Sequence, residues 1–389
     1  MKMEDMIIPK VWKLPPSGIR KFFDLVNEMK DAISLSIGEP DFVTPWNVRE
    51  SGIYSLEKGH THYSPNAGFL ELREEICRYL NRKYGLKYNY KDQVIVTVGG
   101  SEGIDLALRS LVEPGDEVII PEPSFVAYKP CAILAGATPV TINLRAEDQF
   151  RLTPDLLEKA ITSRTKVLVL PFPNNPTGAI MTRNDLEKII EVIKDKDIVV
   201  ISDEIYSELT YEGEHVSIAG FPEMAERTLV INGFSKAFAM TGWRLGYACG
   251  HRDLIAAMYK IHQYAIMCAP TTAQYAAIEA LRNSDEDIRM MTREYNRRRR
   301  VMLDGFRKAG LECFEPLGAF YVFPCINSTG LSSSDFCERL LKEEKVAVVP
   351  GAAFGDSGEG FVRACYSNSM ENIVEALKRI DRFVKKVKS

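Results

Sequence analysis

Val94-Ile95-Val96-Thr97-Val98 runs straight into Gly99-Gly100-Ser101-Glu102-Gly103. The apolar, β-branched run reads as a buried strand, and the helical pattern Glu102 to Leu111 follows at once. A glycine-rich join between strand and helix leaves backbone N–H groups and the positive end of a helix dipole together, which is an anion seat. The same residues also read as a plain tight turn. They are not GxGxxG, so a dinucleotide site is not indicated. Outward from this join the same alternation repeats. Strands are expected at Glu117 to Ile120, Thr138 to Asn143, Lys166 to Leu170, Ile198 to Ser202, Leu229 to Ile231 and Leu245 to Cys249. Helices are expected near Ser124 to Leu134, from Thr153-Pro154-Asp155 to about Thr162, and at Arg183 to Ile193. Short apolar strands separated by helices predict a mainly parallel sheet covered on both faces, whose ligands gather beyond the carboxyl ends of the strands.

The chain has 389 residues, which favours two domains over one core. The pattern shifts near Leu281. A charged helix, Asp285 to Lys308, leads into shorter segments at Ala319 to Phe323, Ser333 to Lys342, Lys345 to Val349, Gly360 to Ala364 and Met370 to Lys386. We read residues 46–280 as a large domain. Residues 1–45 and 281–389 form a smaller one, with a helix at Ile19 to Met29 and extended chain at Ile33 to Ile37. The formal net charge is -4, with no basic excess to neutralise nucleic-acid phosphates. Arg297 to Arg300 lies near Asp285, Glu286, Asp287 and Glu294 and reads as a solvated helix face. No stretch is long and apolar enough to span a bilayer, and Met1 to Trp12 lacks a secretory apolar core. The eight cysteines are scattered without a CxxC pair, which argues against zinc and disulfides and suits a cytoplasmic protein. His60 and His62 have no acidic or cysteine partners nearby and read as loop residues.

Four further segments fall just after strands. In Ser235-Lys236-Ala237-Phe238-Ala239-Met240-Thr241-Gly242-Trp243-Arg244-Leu245-Gly246, a lysine follows an apolar strand and an arginine sits eight residues later among small residues. That suits an amine that attacks an aldehyde while a hydroxyl and a guanidinium hold a phosphate. Pro173-Asn174-Asn175-Pro176-Thr177-Gly178 is a stiff extended loop in which Asn175 offers an amide to a ligand oxygen. Ser202-Asp203-Glu204-Ile205-Tyr206 places Asp203 at a buried strand end, where a carboxylate is costly unless paired. A protonated pyridine nitrogen would pair it, and Tyr206 would donate to a phenolic oxygen on the same ring; Glu204 reads as structural. In Gly360-Phe361-Val362-Arg363-Ala364-Cys365-Tyr366 an arginine interrupts an apolar strand. Its fork matches a carboxylate, either a ligand's or that of an internal salt bridge.

Together with Ser36-Ile37-Gly38-Glu39-Pro40-Asp41-Phe42, these ordered segments resemble the pyridoxal-phosphate (PLP) aminotransferases of fold type I, class I/II, over nearly the whole chain. The branch most similar is the archaeal and bacterial one that mixes aspartate and aromatic aminotransferases. The resemblance implies an α/β fold: a large domain with a mainly parallel seven-stranded sheet flanked by helices, plus a smaller α/β domain. It implies that Lys236 carries the cofactor covalently and then acts as base and acid, that Asp203 pairs the pyridine nitrogen, and that Tyr206 and Asn175 bond the phenolic oxygen. Gly100, Ser101, Ser235 and Arg244 would hold the phosphate, Glu102 through its backbone only, and Phe125 would stack on the ring. Arg363 would bind the substrate α-carboxylate, helped by Gly38 and Asn175. Tyr63 would reach a neighbouring subunit's phosphate, which implies a homodimer with shared sites.

The implied reaction is ping-pong transamination between an L-amino acid, aspartate or an aromatic or large apolar one, and a 2-oxo acid. Glutamate and 2-oxoglutarate form one couple. The segment Pro15 to Phe22, with Phe125 and Tyr128, reads as an apolar lid, and Arg20 and Arg145 are candidates by type for a distal carboxylate. Two alternatives stay open: a PLP-dependent C–S β-lyase on the same fold, and a ligand-sensing transcriptional regulator built on it.

Overall fold

The computed structural model describes residues 2–16, 18 and 31–389 of the chain. The expected helix Ile19 to Met29, Arg20 and most of the expected lid lie outside the described residues. Strand β1 (Ile33–Ser34) comes first in the chain. Seven strands then build the main sheet: β2 (Val94–Thr97), β3 (Glu117–Glu122), β4 (Thr138–Asn143), β5 (Thr165–Leu170), β6 (Val199–Asp203), β7 (Thr228–Gly233) and β8 (Gly246–Cys249). Their order is β2-β8-β7-β6-β5-β3-β4. All pairings are parallel except those of β8, which runs antiparallel to both β2 and β7. The main sheet is therefore mainly parallel, as the alternation of strands and helices predicts. β8 reverses because residues 234–245 return without a crossover helix, so this whole connection stays at the carboxyl edge of the sheet.

Apolar side chains cover both faces. Ile95, Val118, Val167, Ile201 and Leu229 pack one way with helices Gly99–Leu111 and Arg252–Ala265. Leu168, Val200 and Ile119 face the other, against helix Arg183–Ile193, whose Thr182 and Asp185 form a reciprocal cap. Helix Gly99–Leu111 starts three residues before its expected first residue, so the glycines belong to its first turn. The helix expected from Ser124 begins only at Tyr128, and the Ser124 N–H donates to Phe354 O at 3.0 Å.

A second core gathers helices Asp285–Lys308, Ser333–Glu344 and Met370–Lys388. The remaining strands are β9 (Tyr321–Val322), β10 (Val346–Ala347), β11 (Val349–Pro350) and β12 (Val362–Cys365). Strands β11, β12 and β9 form an antiparallel sheet, and β10 pairs in parallel with β1. That last pairing ties the chain ahead of Gly38 to the second core.

The arginine run on helix Asp285–Lys308 corrects the sequence reading. Arg297 and Arg300 are exposed, but Arg298 and Arg299 are buried, the latter 1% exposed. Arg299 donates to Asn296 Oδ1 at 3.0 Å, Glu315 Oε1 at 3.1 Å, Pro316 O at 2.9 Å and Glu212 Oε1 at 3.1 Å. Four consecutive residues are spread over about 300° of a helix, so they cannot all share one solvated face. Each charge-assisted bond is worth about 1.5–3 kcal/mol. We expect Arg299→Ala to lower unfolding stability by about 2–4 kcal/mol, and Arg297→Ala or Arg300→Ala to change it by less than about 0.5 kcal/mol, in urea titrations.

Candidate active site

Chain from both cores converges on a cavity of about 420 Å³ at the carboxyl edge of the main sheet. That lies within the roughly 300–1,000 Å³ usual for small-molecule sites. The connection 234–245 contributes Ser235, Lys236, Thr241 and Arg244, and the glycine-rich helix start contributes Gly100 and Ser101. Asp203 ends β6, Tyr206 follows it, and Asn175 follows β5. Phe125 and Tyr128 follow β3. Gly38, Tyr321 and Arg363 come from around the second core.

Glycine sets the spacing on the lysine side. Thr97 pairs with Gly246 across β2 and β8. A Cβ on Gly246 would lie 2.6 Å from Gly100 N, and one on Gly99, whose φ is +76°, would lie 2.7 Å from Arg244 Nη2. The first N–H groups of a helix have no intrahelical acceptor. Gly100 and Ser101 of this first turn line the same cavity as Ser235 and Arg244, a set of donors suited to an anion cup.

Asp203 is 7% exposed; its Oδ2 accepts from Tyr128 Oη at 2.7 Å and its Oδ1 from Ile205 N at 3.2 Å. Burial pushes its carboxyl above the usual range, while Tyr128 pulls the other way. Adjacent Glu204 points elsewhere and is fully buried. It accepts from Ser202 Oγ at 2.8 Å and Ser217 Oγ at 2.6 Å, with His215 Nε2 at 3.0 Å. That is the structural part expected of it. Lys236 Nζ donates to Gly38 O at 2.6 Å and lies 5.6 Å from the Tyr206 ring and 5.5 Å from the Phe320 ring. Desolvation pushes its pKa down to about 8. Tyr206 Oη bonds Tyr321 Oη at 2.7 Å. Arg363 donates to Asn175 Oδ1 at 2.9 Å and Ser36 O at 2.6 Å, with its plane against Tyr321 and Phe354. Its buried Nε has no hydrogen-bond partner among the described residues.

Of the residues singled out from sequence, the cavity wall brings together Gly38, Gly100, Ser101, Phe125, Asn175, Asp203, Tyr206, Ser235, Lys236, Arg244 and Arg363. Glu102 turns its side chain away, accepting from Val98 N at 2.5 Å and pairing with buried His262 at 2.7 Å. Tyr63 is 81% exposed and lies outside the cavity of the single chain. Arg145 also lies outside it, paired with Asp148 at 2.5 Å and Glu147 at 3.3 Å. Among the described residues no internal carboxylate bonds Arg363; a side-chain amide and a carbonyl take that place. Sequence reasoning missed Tyr321 and the bond from Tyr128 to Asp203. Both are aromatic residues in apolar surroundings, and no local pattern distinguishes such a tyrosine from an ordinary core residue.

The family model for class I and II aminotransferases matches residues 30–380. The chain belongs to that family. A putative aminotransferase of Bacillus subtilis, YugH, is 53% identical, covering 97% of each chain. Aromatic-amino-acid aminotransferase 2 of Thermococcus litoralis is 45% identical, covering 96% of this aminotransferase and 97% of the relative. The crystallised aspartate aminotransferase of Thermus thermophilus with maleate superposes with a TM-score of 0.93 at 39% identity, over 97% of this chain and 99% of that one.

Aminotransferases of this class depend on pyridoxal phosphate, and the donor set fits that group. The anion cup suits its phosphate. Asp203, a buried acid whose hydrogen-bond donors among the described residues are neutral, suits a protonated ring nitrogen. Lys236 is an amine whose pKa of about 8 leaves a substantial neutral fraction near physiological pH.

That shift also predicts a pH-dependent stability for the cofactor-free aminotransferase. A lysine near 8 when folded and near 10.5 when unfolded costs stability below pH 8. The cost fades between pH 8 and 10.5, where the folded chain has released that proton and the unfolded chain still holds it. Full expression would be up to about 3 kcal/mol. Cofactor-free Lys236→Met should therefore be more stable than the parent at pH 7, with the gap closing by pH 10.5 in paired urea titrations. A gap independent of pH would contradict the desolvated amine.

Proposed function

We propose that the chain catalyses transamination between an L-amino acid and a 2-oxo acid, with glutamate and 2-oxoglutarate as one couple and an aromatic or large apolar amino acid, or aspartate, as the other donor. The observation carrying this reading is one cavity holding a desolvated lysine, a buried aspartate and an arginine with an unpartnered Nε. When bound, pyridoxal phosphate supplies an aldehyde and a ring that accepts electrons from the substrate α-carbon.

The protein's residues divide the remaining work. Asp203 holds a facing ring cation by charge; at about 3 Å and an effective dielectric near 20 such a pair is worth roughly 5 kcal/mol before solvation costs. Tyr206 and Asn175 orient the ring oxygen. Ser101, Ser235, Arg244 and the Gly100 N–H grip the phosphate, and Phe125 covers the ring. Arg363 binds the α-carboxylate and so presents the α-hydrogen to Lys236, a gain of proximity. Lys236 Nζ takes that proton, for which a pKa near ambient pH is best suited. The two half-reactions share these groups, which gives ping-pong kinetics.

A relative named for aromatic amino acids, that of Thermococcus litoralis at 45% identity, supports the aromatic arm. Relatives named for aspartate, such as that of Pyrococcus abyssi at 44% identity, support the other. We propose residues 46–280 as the cofactor-carrying domain, and 1–45 with 281–389 as the smaller one. We also propose a homodimer in which Tyr63 completes the partner's phosphate cup. The exposure of Trp46, Tyr54, Tyr63 and Tyr264 supports it, since such a set of large rings suits an interface.

Purified Lys236→Ala should lose the cofactor's bound absorbance and lower turnover by more than about 10⁴-fold, given that it removes both covalent and proton-transfer roles. Turnover at the parental rate would refute its assignment. In a panel of amino donors with 2-oxoglutarate, at least one aromatic donor or aspartate should give glutamate. Failure of all, or release of pyruvate and ammonia from cystathionine without an acceptor, would refute transamination.

A further inference from the structure

Residues 38–44 form a strap between the second core and the lysine connection. Thr44 Oγ1 donates to Ala239 O at 2.6 Å and accepts from Trp243 Nε1 at 3.1 Å. Glu39 Oε2 accepts from Thr241 Oγ1 at 3.2 Å, and Glu39 O from Ser367 Oγ at 2.5 Å. Gly38 O receives Lys236 Nζ at 2.6 Å, and a Cβ on Gly38 would lie 2.5 Å from Tyr321 Oη. The strap's remaining polar side chain is Asp41, and it meets helix Asp285–Lys308. Arg298 Nη1 lies 2.8 Å from both Asp41 carboxylate oxygens, and its Nε donates to Glu294 at 2.9 Å. The guanidinium lies 5.3 Å from the Phe42 ring and 5.8 Å from Tyr295, and those two rings meet edge-on at 5.3 Å.

We propose that Arg298 is a positioning residue for the reaction. Through Asp41 it holds Gly38 and Glu39 against the cavity, so that Lys236 and Arg363 meet the amino acid in one geometry. A buried guanidinium is costly unless its partners are well placed. Here its strongest partner lies on a loop three residues from the lysine's acceptor, not within its own core. Loops are mobile unless held, and reacting groups must be kept to within about 0.5 Å. The inference rests on the roles given above to Lys236 and Arg363.

The test compares Arg298→Met, Arg298→Lys, Asp41→Asn and the double variant Arg298→Met/Asp41→Asn, all cofactor-loaded. In a parent carrying Trp12→Phe and Trp46→Phe, Trp243 remains as the single indole and reports on Thr44. Acrylamide quenching of Trp243 should rise at least twofold in Arg298→Met and Asp41→Asn. KM for the amino acid should rise at least tenfold, and more than kcat falls. Arg298→Lys should recover part of both, and the double variant should be no worse than the worse single. KM within twofold of the parent in both singles, or KM increases that multiply in the double, would overturn the proposal. If Arg298→Met does not fold, Asp41→Asn decides by the same criteria. A parent inactive with every donor would refute the transamination reading instead; Trp243 quenching then decides the strap alone, and unchanged quenching overturns it.

Discussion

Gly246 lies so close to the Gly99–Gly100 peptide that no side chain fits between them. The other distances in the cup follow from that contact. It brings the start of helix Gly99–Leu111 against β8, and Arg244, two residues before β8's first glycine pair, closes the same corner. β8 can lie there only because residues 234–245 turn back at the carboxyl edge instead of crossing over. One topological choice, a reversed strand in a parallel sheet, thus places an amine, a guanidinium and a helix terminus within one wall.

The second core supplies what the sheet does not. Arg363 reaches the cavity from β12, and its buried neighbours are an amide, a carbonyl and two aromatic faces rather than a carboxylate. Among the described residues, no carboxylate bonds this cation at the cavity wall. Asp203 shows the complementary condition, an acid whose burial disfavours its charge and whose nearest donors are neutral. The two sit in one cavity, so a ligand carrying a cation at one end and a carboxylate at the other satisfies both.

Much of this was legible in sequence because it rests on local pattern. The strands of the main sheet are short apolar runs, and helix Asp285–Lys308 falls on its expected span. Lys236, Asp203 and Arg363 stand out as charged residues beside or inside apolar strands. What was not legible depends on contacts far apart in the chain. Tyr321 and Tyr128 matter through hydroxyls that find Tyr206 and Asp203 across the fold. The burial of Arg298 and Arg299 depends on Asp41, Glu212 and Pro316, none of which helical periodicity on that segment can see. The partners of the Glu102 carboxylate, His262 and the Val98 N–H, likewise come from contacts that the local pattern does not show.

Asp203 ends β6 and Glu204 follows it, and their carboxylates bond different sets of partners. Asp203 faces the chemistry, whereas Glu204 gathers Ser202, Ser217 and His215 behind the sheet. The peptide between them is therefore a bulkhead: solvent and substrate come and go on one side while a sealed hydrogen-bonded knot anchors the other. Losing that knot would leave three donors stranded in the interior without altering a single atom of the lining, so an inactive protein of that kind would be defective in its foundations and intact at its face.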